Sequence, residues 1–298
     1  GYATVDLAAR AMKQGAHDFL PKPFTTDELL MAVRRGLEER ETRLRQKERE
    51  QQAEETEQLE RARRDIAKLD AIQSRFMLVI AHELRDPAGV IKNYLQLIRG
   101  GYVAEAEWDE YLEKLDQRAT QLLHMLDDIL ELAHLKSTIG TSGLTAVNAA
   151  DVLNSVIRRL QPRAENKGLT LDVSIQAQPE VVVRPAHLQS LWTNLIGNAI
   201  QYTPAGRIAV ALWEEDDQVV STVADTGIGV STEELARIFQ EFYRTELAQA
   251  EVPLGTGLGL SIVDQILRIY EGSIEVDSVP GQGSTFTFML PLPSAGRS

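Results

Sequence analysis

A multidomain α and α+β chain is predicted, in which a long coiled-coil and four-helix-bundle dimerisation region precedes an α/β two-layer sandwich. Three observations predict it. From Leu37 to Asp70 the sequence has no proline or glycine and is dominated by Glu, Arg, Gln and Lys, so it favours one long helix. Two apolar stripes at three- and four-residue spacing then flank the Gly100-Gly101 pair, as in two amphipathic helices joined by a turn. Past Ser137 the pattern changes to helices mixed with alternating strands such as RIAVALW and VVSTVAD.

Taken in order, residues 1–38 read as the end of a larger unit. ATVDLAARAMKQG is helical and stopped by Gly15, HDFLPKPF is a short apolar strand, and Thr25 with Glu28 forms a capping box for the next helix. Residues 39–70 are a coiled-coil helix with Leu59, Ala62, Ile66 and Leu69 on its seam. Residues 71–137 form a helical hairpin. Its first stripe runs through Phe76, Ile80, Leu84, Ile91, Leu95 and Ile98, and its second through Trp108, Leu112, Leu115, Ala119, Leu122, Leu126, Ile129 and Ala133. Each helix keeps an apolar stripe to bury, which two copies satisfy as a four-helix bundle, so a homodimer is expected. Residues 138–146 are a small-residue linker, and residues 147–294 are the sandwich.

Composition narrows the partners. A net charge of -13 argues against a nucleic-acid backbone and requires any polyphosphate site to be a local positive or metal-loaded patch. Without cysteine there is no disulfide, thiolate chemistry or Cys-based zinc site. No apolar run approaches a membrane span and no signal peptide is visible, so the chain is expected to be soluble and cytoplasmic.

Four motifs occur in a fixed order: AHELRDP (81–87), NLIGNAIQYTP (194–204), DTGIG (225–229) and GTGLGLS (255–261). Each alone is a weak signal. Together they make residues from about 66 to 292 resemble the transmitter region of bacterial sensor histidine kinases, in which a dimerisation and phosphotransfer hairpin precedes a Bergerat-type ATP-binding domain. GAHDFLPKPF likewise resembles the last strand of a response-regulator receiver domain. Lys22 then stands at the family's phosphate-contacting lysine, and Pro23 is a candidate cis proline.

The resemblance implies ATP and Mg²⁺ as cofactors and an aspartate on a response-regulator receiver domain as the final acceptor. His82 is the implied phosphoacceptor, since a neutral imidazole presents a ring nitrogen able to attack phosphorus. Glu83 is the implied base for the other nitrogen. Asn198 is the implied Mg²⁺ residue, with Asn194 one turn earlier. ATP-hydrolysing members of the superfamily carry a water-activating glutamate at Asn194, so the amide there favours transfer over hydrolysis. Asp225 is implied to take the adenine amino group, with Gly227 and Gly229 admitting the base and Tyr202 completing the pocket. Gly255, Thr256, Gly257, Leu258 and Gly259 are the implied phosphate loop at a helix N-terminus, with Arg244 as a phosphate contact beginning a lid over 244–257.

Two positions depart from the pattern. Asp86 replaces the Thr or Asn that positions water for dephosphorylation, which predicts low phosphatase activity. Gln201 replaces a lysine and removes a phosphate-facing charge. The other readings are a nucleotide-binding dimeric scaffold without phosphotransfer and a Bergerat-fold ATPase. His17, His124, His134 and His187 match no motif and read as structural or solvent-facing.

Overall fold

The computed structural model describes residues 10, 12–16, 19–137 and 143–293, with side chains not described at 48–50, 52–55, 65, 68–73 and 75. His17 therefore lies outside the described residues. The chain divides into two units, residues 1–81 and 82–298.

In the first unit, residues 10 and 12–13 are helical and Gly15 has a positive φ of 97°. Helix α1 (Thr26–Arg99) opens at the expected capping box. The Thr25 amide donates to Glu28 Oε2 at 2.8 Å and the Glu28 amide donates to Thr25 Oγ1 at 3.3 Å. The Thr25 amide, with the Thr25 hydroxyl donating to the same oxygen at 3.0 Å, holds the Glu28 carboxyl below its usual range. The strand expected at HDFLPKPF is absent among the described residues: Phe19, Leu20 and Pro21 join no strand ladder, and a strand without a ladder leaves its backbone groups unsatisfied. The Lys22-Pro23 bond is cis, as the resemblance implied. Leu59 and Ile66 of the expected coiled-coil seam are 71% and 59% exposed in the single chain.

The second unit begins at His82, where α1 continues through Pro87 to Arg99. The helix stops where the glycine pair predicts. The Tyr102 amide donates to Leu97 O and the Gly101 amide to Ile98 O, with Gly101 at φ 71°: a Schellman cap, which needs a left-handed residue. A single 3₁₀ turn, Glu105–Glu107, leads into helix α2 (Trp108–Ser137). Tyr94 meets Tyr111 edge-on at 5.5 Å across the hairpin. Leu95, Leu112, Leu123 and Leu130 remain exposed, an apolar surface the single chain leaves uncovered.

The remainder is an α/β two-layer sandwich. Its elements are β1 (Thr145–Asn148), α3 (Ala149–Asn166), β2 (Thr170–Ile175), β3 (Glu180–Val183), α4 (Pro185–Tyr202), β4 (Arg207–Glu215), β5 (Gln218–Asp225), α5 (Thr232–Leu235), α6 (Glu246–Glu251), α7 (Gly259–Ile269), β6 (Ser273–Val279) and β7 (Gly283–Pro291). The main sheet has the order β2-β4-β5-β7-β6, parallel only between β2 and β4. Strands β1 and β3 form a separate antiparallel pair. Strand β1 starts at Thr145, so the stretch read as linker over 138–146 ends earlier than expected. Four residues carry too little alternation to announce a strand.

One face of the sheet is covered by α3, α4 and α7. Alternate residues of β4 and β7, Ile208, Val210, Leu212, Phe286, Phe288 and Leu290, point into this layer, as period-two strands require. Trp192 of α4 is fully buried 5.8 Å from the Phe288 ring. Its indole N–H donates to Ser221 Oγ at 3.0 Å, and that hydroxyl donates to Ala211 O, so no polar atom there is stranded. Leu195, 1% exposed, lies one turn beyond Trp192. Leu195→Ala should lower unfolding free energy by about 2–5 kcal/mol, measured as a shift in the urea midpoint of tryptophan fluorescence.

Candidate functional site

A cleft of about 650 Å³ opens between α4, the loop after β5, the segment before α7 and one face of α2. Of the residues predicted from sequence, Asn194, Asn198, Tyr202, Asp225, Gly229, Arg244, Gly255, Thr256, Gly257 and Gly259 line it. Gly227 and Leu258 stand behind this wall. The Gly227 amide donates to Asp225 Oδ1 at 2.8 Å, and Leu258 is wholly buried as it leads into α7.

Asp225 ends β5, where the register of the antiparallel pair with β4 sets it opposite Ile208 at the end of the strand. Its Oδ1 accepts from the Gly227 amide and, at 3.3 Å, from the Ser284 amide. Burial raises its pKa above the usual carboxylate range, and those two bonds only partly oppose this. Glycine is required twice nearby. A Cβ on Gly227 would lie 2.3 Å from Tyr202 O, and one on Gly229, at φ 67°, 2.1 Å from Val279 O.

On α4, Asn194 and Asn198 lie one turn apart. The Asn194 amide nitrogen donates to Ser190 O at 3.0 Å and Ser190 Oγ at 3.1 Å, and its Oδ1 faces Gly259, where a Cβ would approach to 2.7 Å. Asn198 makes no side-chain hydrogen bond among the described residues, so its amide is uncommitted at the cleft wall. That neutral oxygen donor fits a hard cation completed by phosphate oxygens and water. Among the described residues no cluster of three or more His, Cys, Asp or Glu could hold a metal without such help.

The segment over 244–257 holds helix α6, capped by Thr245 Oγ1 accepting from the Ala248 amide at 3.1 Å. Arg244 differs from its expected use. Its guanidinium donates to the backbone oxygens of Ala248, Val252 and Pro253, stapling this segment to itself, while its buried Nε has no partner among the described residues. The Gly257 carbonyl accepts from the Phe242 amide at 3.0 Å, and Ser231 Oγ donates to Glu234 Oε2 at 2.8 Å before the short helix α5.

His82 and Glu83 are not part of this cleft. His82 is 70% exposed on α1, and the carboxylate nearest its ring is Asp86, with Oδ2 3.7 Å from Nδ1. This follows from helical spacing, because position i+4 shares a face with i while i+1 lies about 100° around.

Helix α2 supplies what sequence reasoning did not foresee. Asp128 Oδ2 accepts from Thr256 Oγ1 at 2.7 Å, and Lys136 pairs with Glu241. Burial raises the Asp128 carboxyl, opposed by the Thr256 bond. His124, read as structural or solvent-facing, is exposed and lines the cleft from the same helix. His187 instead meets the Tyr270 hydroxyl at 2.8 Å, and burial lowers its pKa. His134 Nδ1 lies 3.0 Å from Leu130 O.

A glycine-lined cleft thus stands beside a helical hairpin that carries an exposed histidine. Residues 72–138 match the family described as "His Kinase A (phospho-acceptor) domain", and residues 183–294 match "Histidine kinase-, DNA gyrase B-, and HSP90-like ATPase". The chain belongs to the sensor histidine kinases, and its second domain binds ATP.

It is 36% identical over 226 residues to the phosphate regulon sensor protein PhoR of Pseudomonas aeruginosa, covering 74% of this chain and 51% of that protein. With the sensor protein GacS of Pseudomonas syringae it shares 31% identity over 245 residues, 80% of this chain and 27% of that one. The chain thus spans about half or less of these relatives' length. Among solved structures, full-length ShkA in complex with AMPPNP aligns with a TM-score of 0.55 at 28% identity, covering 74% of this chain and 46% of that one. The complex of histidine kinase ThkA with response regulator TrrA shares the fold at TM-score 0.60 and 19% identity, covering 75% and 63%. Among the described residues, no helix is long and apolar enough to cross a membrane.

Proposed function

We propose that this chain, as a homodimer, transfers the γ-phosphoryl group of ATP to a ring nitrogen of His82 and relays it to an aspartate of a response-regulator receiver domain. The observation that carries this reading is an exposed imidazole and a nucleotide cleft in one chain, with an amide at Asn194 where a water-activating carboxylate would favour hydrolysis. An amide cannot act as a base at neutral pH, so water in the cleft is left unactivated. The uncovered Leu95, Leu112, Leu123 and Leu130 surface supports pairing with a second copy.

In this reading Asp225 accepts a hydrogen bond from the adenine amino group through its second oxygen, since Oδ1 is already occupied by backbone amides. Gly255, Thr256, Gly257 and Gly259 bring backbone amides and the N-terminus of α7 to the phosphates. Asn198 would hold Mg²⁺, which neutralises phosphate charge when bound. His82 must travel to the cleft, so the arrangement with α2 against the phosphate loop precedes transfer. Glu83 takes the proton released by the ring.

Asp86 also sets negative charge where an incoming aspartyl phosphate would dock. Low phosphatase activity is expected, measured as slow clearance of a phosphorylated cognate regulator. Rapid clearance that requires this chain and is lost in Asp86→Ala contradicts it. Residues 1–38 are read as the C-terminal part of a receiver domain, on the strength of GAHDFLPKPF. Incubation with labelled ATP tests the whole: wild type should take up acid-labile label and His82→Gln none, whereas equal uptake overturns the assignment.

A further inference from the structure

The charge balance of the cleft poses a problem. Asp116, Asp128 and Asp225 line it, in a chain of net charge -13, yet a nucleotide would bring several more negative charges. Two cationic side chains, Arg163 and Arg244, line it in return. Arg244 is committed to the carbonyls of Ala248, Val252 and Pro253. Gln201, also at the cleft, carries no charge. Arg163, by contrast, makes no hydrogen bond or ion pair among the described residues and is solvent-exposed.

Three bonds place Arg163 along the cleft wall. Arg159 of α3 donates to Thr193 Oγ1 of α4 at 2.6 Å. Eight residues later, Lys167 donates to Ile200 O at 2.9 Å and Gln201 O at 2.7 Å. Eight residues on one helix are thus matched by seven to eight on the other, so α3 and α4 run in step. Arg163 shares a face with Arg159 and Lys167 and falls level with Gly197. At Gly197 a Cβ would find nothing within 4 Å, and both residues line the cleft. The missing side chain leaves open space on the wall between the Asn194 and Asn198 turns, level with Arg163. Lys167 does not fill this role, because its amine caps the carbonyl end of α4; burial, with Arg163's like charge besides, lowers its pKa.

We infer that Arg163 is the polyphosphate-binding cation of this cleft, reaching the nucleotide across Gly197 and supplying the charge that Gln201 lacks. The inference rests on the nucleotide-binding reading of the cleft. A guanidinium is suited to the task because it makes charge-assisted, bidentate contacts to phosphate oxygens.

Calorimetric titration of the full chain with ATP, ADP and adenosine tests it, with Mg²⁺ present throughout. Arg163→Ala should weaken ATP and ADP about tenfold and leave adenosine unchanged, while Arg163→Lys keeps most of the ATP affinity. Adding Gln201→Lys to Arg163→Ala should restore ATP binding, since it returns a cation to the same wall. Unchanged ATP affinity in Arg163→Ala overturns the inference, and so does an equal loss for ATP and adenosine. Failure of the wild type to bind ATP would instead remove the nucleotide site itself, an outcome visible before any variant is made.

Discussion

Asp225→Asn should weaken ATP binding roughly 10- to 100-fold while leaving the protein folded, the range expected when a buried ligand donor loses its acceptor. The fold survives because an asparagine Oδ1 still accepts from the Gly227 and Ser284 amides. The second oxygen becomes an NH₂ group, so a donor would face the adenine amino donor. Stability should move the other way. Burial raises the Asp225 pKa, so its protonated form is favoured in the folded state. That contribution is fully present below the ordinary aspartate pKa and lost as pH rises through the raised folded value. At neutral pH wild type carries the cost of a buried carboxylate, and Asn removes it. Thermal melts across acidic to neutral pH should show Asp225→Asn less pH-dependent than wild type, with a higher melting temperature at pH 7. The residual slope belongs partly to Asp128, raised by burial as well.

His82→Gln should abolish phosphorylation of the chain, because an amide nitrogen has no free lone pair to attack phosphorus. ATP binding should be unaffected, since His82 lies outside the cleft and is 70% exposed. That pairing of results, no label with intact affinity, separates the acceptor from the nucleotide machinery. It also separates this variant from Asp225→Asn, which should lose label through lost binding. Calorimetry and labelling on both variants measure the two effects.

Much of the sandwich and the cleft was legible because its residues sit on strongly patterned segments. Asn194 and Asn198 ride one helix face, Asp225 closes an alternating strand, and the glycines mark close backbone approaches. Spacing along the chain carries that information. It does not carry contacts made by docking. Asp128 and His124 sit on the hairpin helix, which gives no sign that its polar face meets the loop holding Thr256. Arg163 reads as one more charge on an amphipathic helix until the step between α3 and α4 aligns it with Gly197. Arg244 does line the cleft, but its commitment to lid carbonyls depends on a local backbone path that residue type does not reveal. The expected strand near Phe19 rests on apolar content, and apolar content does not supply the ladder a strand needs.

Wild-type chain incubated with γ-labelled ATP and Mg²⁺ tests the central claim most directly, with the label then challenged by acid and by alkali. Transfer to His82 predicts protein-bound label that is lost in acid, survives alkali and maps to the peptide containing AHELRDP. Steady release of inorganic phosphate with no protein-bound label would contradict it.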